Sequence, residues 1–228
     1  MFLGGGQSLK PPYRAAFTLT ELLMALTIVG VLAVLTVPIL INNFQNRLFA
    51  TQIKNFSAEI EQFAQDQLIT HKTRDLFDTD FGEPSKLLTD GHFSIVKICT
   101  AKDSLKDCWK TKAEGKDKVT YKKLNGENRD LIVKYLTVVL KNGVMFRYSL
   151  TTDGQFVFLV DVNGNDKPNI FGRDLFGFYM DSKGHILSYP SNSPDYKYSD
   201  KIKNCKTHNN SFYYCYSALV DNNWKMDY

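Results

Sequence analysis

FTLTELLMALTIVGVLAVLTVPILI, residues 17–41, is the stretch on which the reading of this 228-residue chain turns. Its 25 residues hold one charge, Glu21. As a helix rising about 1.5 Å per residue it would be roughly 37 Å long, enough to cross a hydrocarbon core of ~30 Å and longer than the apolar part of a secretory signal. The charge-poor tract is wider still, from Ala15 to Asn46, 32 residues with Glu21 alone charged. Before it, residues 1–16 carry Lys10 and Arg14, no acid, and the chain-breaking Gly4-Gly5-Gly6 and Pro11-Pro12, so they read as a leader. Basic residues stay on the cytoplasmic side, which sends everything after Ile41 across the membrane. Charged residues at 23% and hydrophobic ones at 43% exclude a disordered, collagen-like or polytopic membrane protein, and a net charge of +4 is too mild to imply nucleic acid.

An acid inside such a segment costs about 2.5–3.5 kcal/mol at mid-membrane, less near the end where Glu21 lies, so it needs a partner. A cut between Ala16 and Phe17 would create an α-amino group one turn before Glu21, or beside the Glu21 of a neighbour. An uncut signal anchor whose Glu21 snorkels to the headgroups is the simpler alternative. Pro38 removes a backbone donor and should kink or locally open the helix, and Gly30 lowers its stiffness. Ordinary tolerance of Gly and Pro in membrane helices accounts for each equally well.

Lys10-Pro-Pro-Tyr-Arg14-Ala-Ala, then Phe17-Thr-Leu-Thr-Glu21-Leu-Leu, then the apolar run with Gly30 and Pro38, resembles the class III signal of type IV prepilins and of the pseudopilins of type II secretion. The resemblance covers roughly residues 10–70. It implies that prepilin peptidase cuts between Ala16 and Phe17 and N-methylates Phe17, that Glu21 neutralises the terminal amine of an adjacent subunit, and that the helix loosens over the Gly30–Pro38 stretch in the filament. The family usually carries Gly before the cut, where this chain has Ala16. The other partners implied are further pilin or pseudopilin subunits and an inner-membrane assembly platform.

Beyond the apolar run, Phe49, Ile53, Phe56, Ile60 and Phe63 recur at spacings of 4, 3, 4 and 3. That is one helix face, and it continues the membrane helix to near Ile69 without a stop signal. Residues 71–130 turn charged and loop-like. Strand signals follow at Leu131–Leu140, Val144–Leu150 and Gln155–Val162, joined by Lys141-Asn142-Gly143 and Thr152-Asp153-Gly154, with a further hairpin at Leu175–Asp181 and His185–Tyr189. The expected organisation is a leader (1–16), a transmembrane and assembly helix (17–41), its amphipathic continuation (42–70) and an extracytoplasmic head (71–228). The fold class is α+β, a long N-terminal membrane-spanning helix packed on an antiparallel β-sheet head, pilin-like.

Four cysteines permit three pairings; Cys99 with Cys108 and Cys205 with Cys215 is the favoured one, because each closes a short loop in its own region. A zinc site would need C-x₂₋₄-C spacing, which neither pair has. Asp161, Asn163, Asn165 and Asp166, followed by Asp174, present oxygen side chains in a pattern that suits Ca²⁺, without being an EF-hand: Gly164 and Gly172 fall where that loop needs other residues. The bland alternative is an Asn-Gly turn bonding its own backbone. Eight lysines between Lys102 and Lys123 against four acids read as a solvated loop rather than a DNA-binding face. Six tyrosines between Tyr189 and Tyr216 read as cover for a sheet edge in the C-terminal loop. No G-x-S-x-G, P-loop or H-E-x-x-H pattern occurs, so an enzyme is the poorer reading. The reading is a structural subunit, leaning toward a minor one, of a type IV pilus or type II secretion pseudopilus. The alternatives are a membrane-anchored extracytoplasmic binding protein or enzyme, and a DNA-receptor pilin.

Overall fold

The computed structural model describes residues 18–87, 91–132, 135–151, 153–190 and 196–228. The leader and the expected cut between Ala16 and Phe17 lie outside the described residues. The first element is α1 (Leu19–His71), an α-helix that includes both Gly30 and Pro38. By compactness the chain divides at Phe44/Gln45 into two units, a boundary that falls within α1.

In the first unit, the apolar side chains of α1 are exposed on every side: Leu22, Met24, Ile28, Val31, Leu35 and Ile39 all remain open. A helix apolar all round is made for lipid or for other apolar helices. Thr27 and Thr36 return their hydroxyls to the carbonyls of Leu23 and Leu32, at 2.7 and 2.9 Å, so neither side chain needs water.

The second unit is a head built on a six-stranded antiparallel sheet, in the order β1 (Ile95–Cys99), β4 (Thr137–Leu140), β5 (Met145–Leu150), β6 (Phe156–Asp161), β7 (Leu175–Met180) and β8 (Ile186–Leu187). The one-turn α2 (Pro84–Leu87) precedes β1, and β2 (Tyr121–Lys122) pairs with β3 (Asn128–Arg129) beside the sheet. Two helices, α3 (Tyr198–Thr207) and α4 (Ser211–Asp221), follow β8.

Side-chain alternation sorts the three central strands. Phe146 pairs with Val160 and Val160 with Phe176; Tyr148 pairs with Phe158 and Phe158 with Phe178. These rows face the C-terminal part of α1, whose Phe49, Ile53, Phe56, Ile60 and Phe63 are all buried in the same core. The 4-3-4-3 spacing therefore marks the face that meets the sheet. Each fully buried aliphatic on it contributes about 1.5–3 kcal/mol. The opposite sheet face is covered as well, with Met145, Leu159 and Leu175 packed under Trp109, Tyr121, Leu131 and the Cys99–Cys108 bridge. Central strand β6 is consequently buried along its whole length.

The hairpins sit at the expected turns. Gly143, at φ +88°, takes the left-handed position between β4 and β5, and Asn142 Oδ1 accepts from Val144 N. Three expectations need correcting. Among the described residues of the strand expected over 131–140, pairing begins at Thr137, opposite Arg147. Strand β1 lies in the stretch read as loop. The tyrosine-rich C-terminal region read as loop contains α3 and α4.

Candidate functional site

Thr18 and Glu21 form a reciprocal cap at the start of α1. Thr18 donates its backbone N–H and its hydroxyl to Glu21 Oε2, at 2.8 and 2.9 Å, while Glu21 N donates to Thr18 Oγ1 at 3.2 Å. This is the Thr-x-x-Glu capping box, which satisfies helix-end donors that would otherwise be bare in an apolar medium. Read for its charge alone, Glu21 points to an amine; read together with Thr18, it also shows where the helix begins. Both bonds fall on Oε2, and Oε1 takes no donor among the described residues. Pro38 removes the N–H that would reach the carbonyl of Val34. A side-chain Cβ at Gly30 would meet nothing within 4 Å in the isolated chain.

The loop between β6 and β7 gathers the oxygen-rich residues. Asp161 and Asp174 are both fully buried. Asp161 Oδ2 accepts from the Tyr121 hydroxyl at 2.7 Å and Oδ1 from Asn163 N at 3.2 Å. Asp174 accepts from Asn169 N and Ile170 N, both at 2.6 Å. Burial raises both carboxyls above the ordinary range: Asp161 strongly, with the neighbouring Asp174 charge adding to it, and Asp174 to about 6 against the pull of its N–H donors. Asn163 Nδ2 donates to the carbonyls of Asp166 and Lys167, at 2.9 and 3.1 Å, and Asn165 Nδ2 to that of Cys108 at 2.7 Å. The Asp166 carboxylate is exposed. The amide oxygens of Asn163, Asn165 and Asn169 are buried without a donor among the described residues.

The structure thus brings Asp161, Asn163, Asn165 and Asp174 into one loop while aiming both buried carboxylates at protein donors. Each carboxylate oxygen that accepts one of these bonds keeps a further lone pair, so the donors by themselves do not decide whether a cation binds. Among the described residues no group of three or more His, Cys, Asp or Glu is placed to hold a metal.

The same loop is tied to its surroundings at many points. Phe171 N donates to Lys122 O and Lys122 N to Asn169 O, pinning it to β2. Arg173 donates to Asn46 Oδ1 at 3.0 Å and Gln45 Oε1 at 3.3 Å on α1, and the Tyr228 hydroxyl donates to Gly172 O at 2.8 Å. Gly172 has φ +85° and lies where any Cβ would run into Cys215 Sγ.

Two disulfides join Cys99 to Cys108 and Cys205 to Cys215. The first closes over Trp109, whose Nε1 donates to Thr137 Oγ1 at 2.8 Å, with Ser104 Oγ 2.5 Å from the same hydroxyl. The second holds α3 to α4. Of the six C-terminal tyrosines, Tyr198 is on α3 and Tyr213, Tyr214 and Tyr216 are on α4; Tyr179, Tyr189 and Tyr213 stack within 5.5 Å of one another. Six of the eight lysines from Lys102 to Lys123 are exposed, and Lys123 pairs with Glu127 at 3.0 Å. Sequence reasoning passes over Tyr121 and Arg147, because an isolated tyrosine in a charged stretch and an arginine in an alternating strand both read as solvent-facing.

Residues 12–37 match the family model described as the prokaryotic N-terminal methylation motif, the class III signal of type IV pilins and pseudopilins. That motif supports a protein of the type IV pilin-like or pseudopilin family, processed by prepilin peptidase and assembling with other pilin subunits. Together with the apolar helix it indicates membrane anchoring. No curated protein and no solved structure matches the chain.

Proposed function

We propose that this chain is a structural subunit, in a minor role, of a type IV pilus or type II secretion pseudopilus. In this reading it is cut between Ala16 and Phe17, methylated at Phe17, held in the inner membrane with its N-terminal side cytoplasmic and its head outside, and then packed into a helical filament through α1. The observation that carries the reading is the methylation motif running into a helix apolar on all sides. The capping box supports it. Because both Thr18 bonds fall on Oε2, Oε1 stays available for the terminal amine of a neighbour without uncapping the helix. Lipid tails are as apolar as leucine, so removing α1 from lipid supplies little drive by itself. Pairing a carboxylate with an ammonium in that medium supplies more, since each charge is costly there alone. The α3–α4 pair and its disulfide enlarge the head beyond the sheet, which suits a specialised rather than a bulk subunit.

The test is intact mass and N-terminal sequencing of the membrane-extracted protein from cells with and without prepilin peptidase, paired with Glu21→Val. The expected product begins at N-methylated Phe17 only when the peptidase is present, and Glu21→Val inserts into the membrane but fails to enter filaments. A chain beginning at Met1 in both strains, or normal incorporation of the variant, overturns the reading.

A further inference from the structure

Arg147 lies in the middle of β5 on the sheet face turned away from α1, between Thr137 of β4 and Leu159 of β6. It is 9% exposed. Nη1 donates to Ser149 Oγ at 3.2 Å, the guanidinium carbon is 5.4 Å from the centre of the Tyr135 ring, and Nε has no hydrogen-bond partner among the described residues. Among the described residues no carboxylate oxygen comes within the 4.0 Å of an ion pair. A guanidinium carries five N–H donors and is expensive to take out of water without an anion. Among the described residues the fold therefore encloses a cation without supplying its counter-charge.

What lies beside Arg147 is a cavity of about 230 Å³. A second arginine, Arg129 on β3, lines it, as do Tyr179, Phe212 and Tyr213. Asn210, the N-cap of α4, also lines it, and its side chain makes no capping bond, its own N–H donating to His208 Nδ1 at 3.0 Å, so no N-cap side chain covers the positive end of this 11-residue helix. Asp130, the acid lining the cavity, is exposed and not paired with Arg147. The aromatic wall is built into the backbone: a Cβ at Gly177 would fall 2.6 Å from Phe212 Cδ2 and 2.7 Å from Tyr213 Cε1, so glycine there admits both rings over β7. Two forked cations, an uncapped helix start and flat aromatic walls are complementary to an oxyanion attached to a compact ring.

We propose that this cavity binds a small organic oxyanion, its carboxylate or phosphate on Arg147 and Arg129 and its sugar-sized body against Phe212 and Tyr213. The site lies wholly in the head and stands whether or not the filament reading does. Isothermal titration of the full-length chain in neutral detergent at low salt, with glucuronate, glucose 6-phosphate, inorganic phosphate and neutral glucose, tests it. Saturable binding of glucuronate or glucose 6-phosphate is expected, with inorganic phosphate weaker and glucose silent. Arg147→Met should weaken the acidic sugars by at least about 30-fold with unchanged near-UV circular dichroism, the loss expected for a charge-assisted fork. Arg129→Gln, at a half-buried position in a two-residue strand, should weaken them in the same direction and serves if Arg147→Met disturbs the fold. Absence of saturable binding by either acidic sugar, or affinity unchanged in both variants, overturns the proposal. Inorganic phosphate binding as tightly as the acidic sugars overturns the part played by the aromatic wall.

Discussion

Replacing Asp174 by asparagine should change how the stability of the head depends on pH. The wild-type carboxyl has no solvent exposure and accepts from Asn169 N and Ile170 N, at 2.6 Å each. Burial raises it from its ordinary 3.8 to about 6, with the N–H donors opposing. A raised carboxyl binds its proton more tightly in the folded than in the unfolded chain. Its contribution to stability is therefore fully present below pH 3.8 and is lost as the pH rises from there through about 6. A displacement of roughly 2 units at about 1.4 kcal/mol each amounts to about 3 kcal/mol across that window. Asparagine does not titrate. It also turns an NH₂ toward one of the two N–H donors, so the variant should be less stable throughout, and the informative quantity is the difference in slope. Urea unfolding of the full-length chain in detergent, followed by near-UV circular dichroism at intervals from pH 7 to pH 4, measures it. Over that range wild type should gain about 2.4 kcal/mol on acidification relative to Asp174→Asn. Parallel curves, or a wild type that loses ground to the variant on acidification, would refute the reasoning.

Two further outcomes follow from the packing and the loop. Gly177→Ala should cost about 1–3 kcal/mol in the same unfolding assay, because the added methyl meets the Phe212 and Tyr213 rings below 3 Å; an unchanged midpoint would show that the rings yield freely. Chelation of calcium by EGTA should leave the melting temperature of the purified chain unchanged, since among the described residues no group of three or more His, Cys, Asp or Glu is placed to hold a metal; a fall reversed by added calcium would instead place an ion among Asp161, Asn163, Asn165 and Asp174.

The parts of the fold that the sequence discloses are those set by periodicity. The face from Phe49 to Phe63 repeats at helical spacing because one side of α1 meets the sheet, and β5 to β7 alternate because their two faces have different neighbours. What stays hidden depends on contacts between distant residues. Strand β1 is an edge strand with Val96 and Ile98 exposed, so its pattern lacks the buried alternation that marks a strand, and only its pairing with β4 defines it. In α4 the run Phe212-Tyr-Tyr-Cys-Tyr216 has weak helical preference and is held by the disulfide to α3 and by the aromatic seat at Gly177. The capping box was open to view as Thr18-x-x-Glu21. By contrast, nothing local announces that Arg147 is buried, because the cavity beside it is walled partly by Phe212 and Tyr213 of α4, more than sixty residues away.

Arg173 gives the head a mechanical consequence. Load applied along α1 would enter the head near Gln45 and Asn46, which accept from Arg173 of the β6–β7 loop. That loop is in turn fastened to β2, to the Cys99–Cys108 segment and to the C-terminal tyrosine. Pulling α1 away from the sheet would load these attachments as well as the aromatic core behind them. The loop that looks from its composition like a ligand site is thereby also a mechanical link between α1 and the rest of the head.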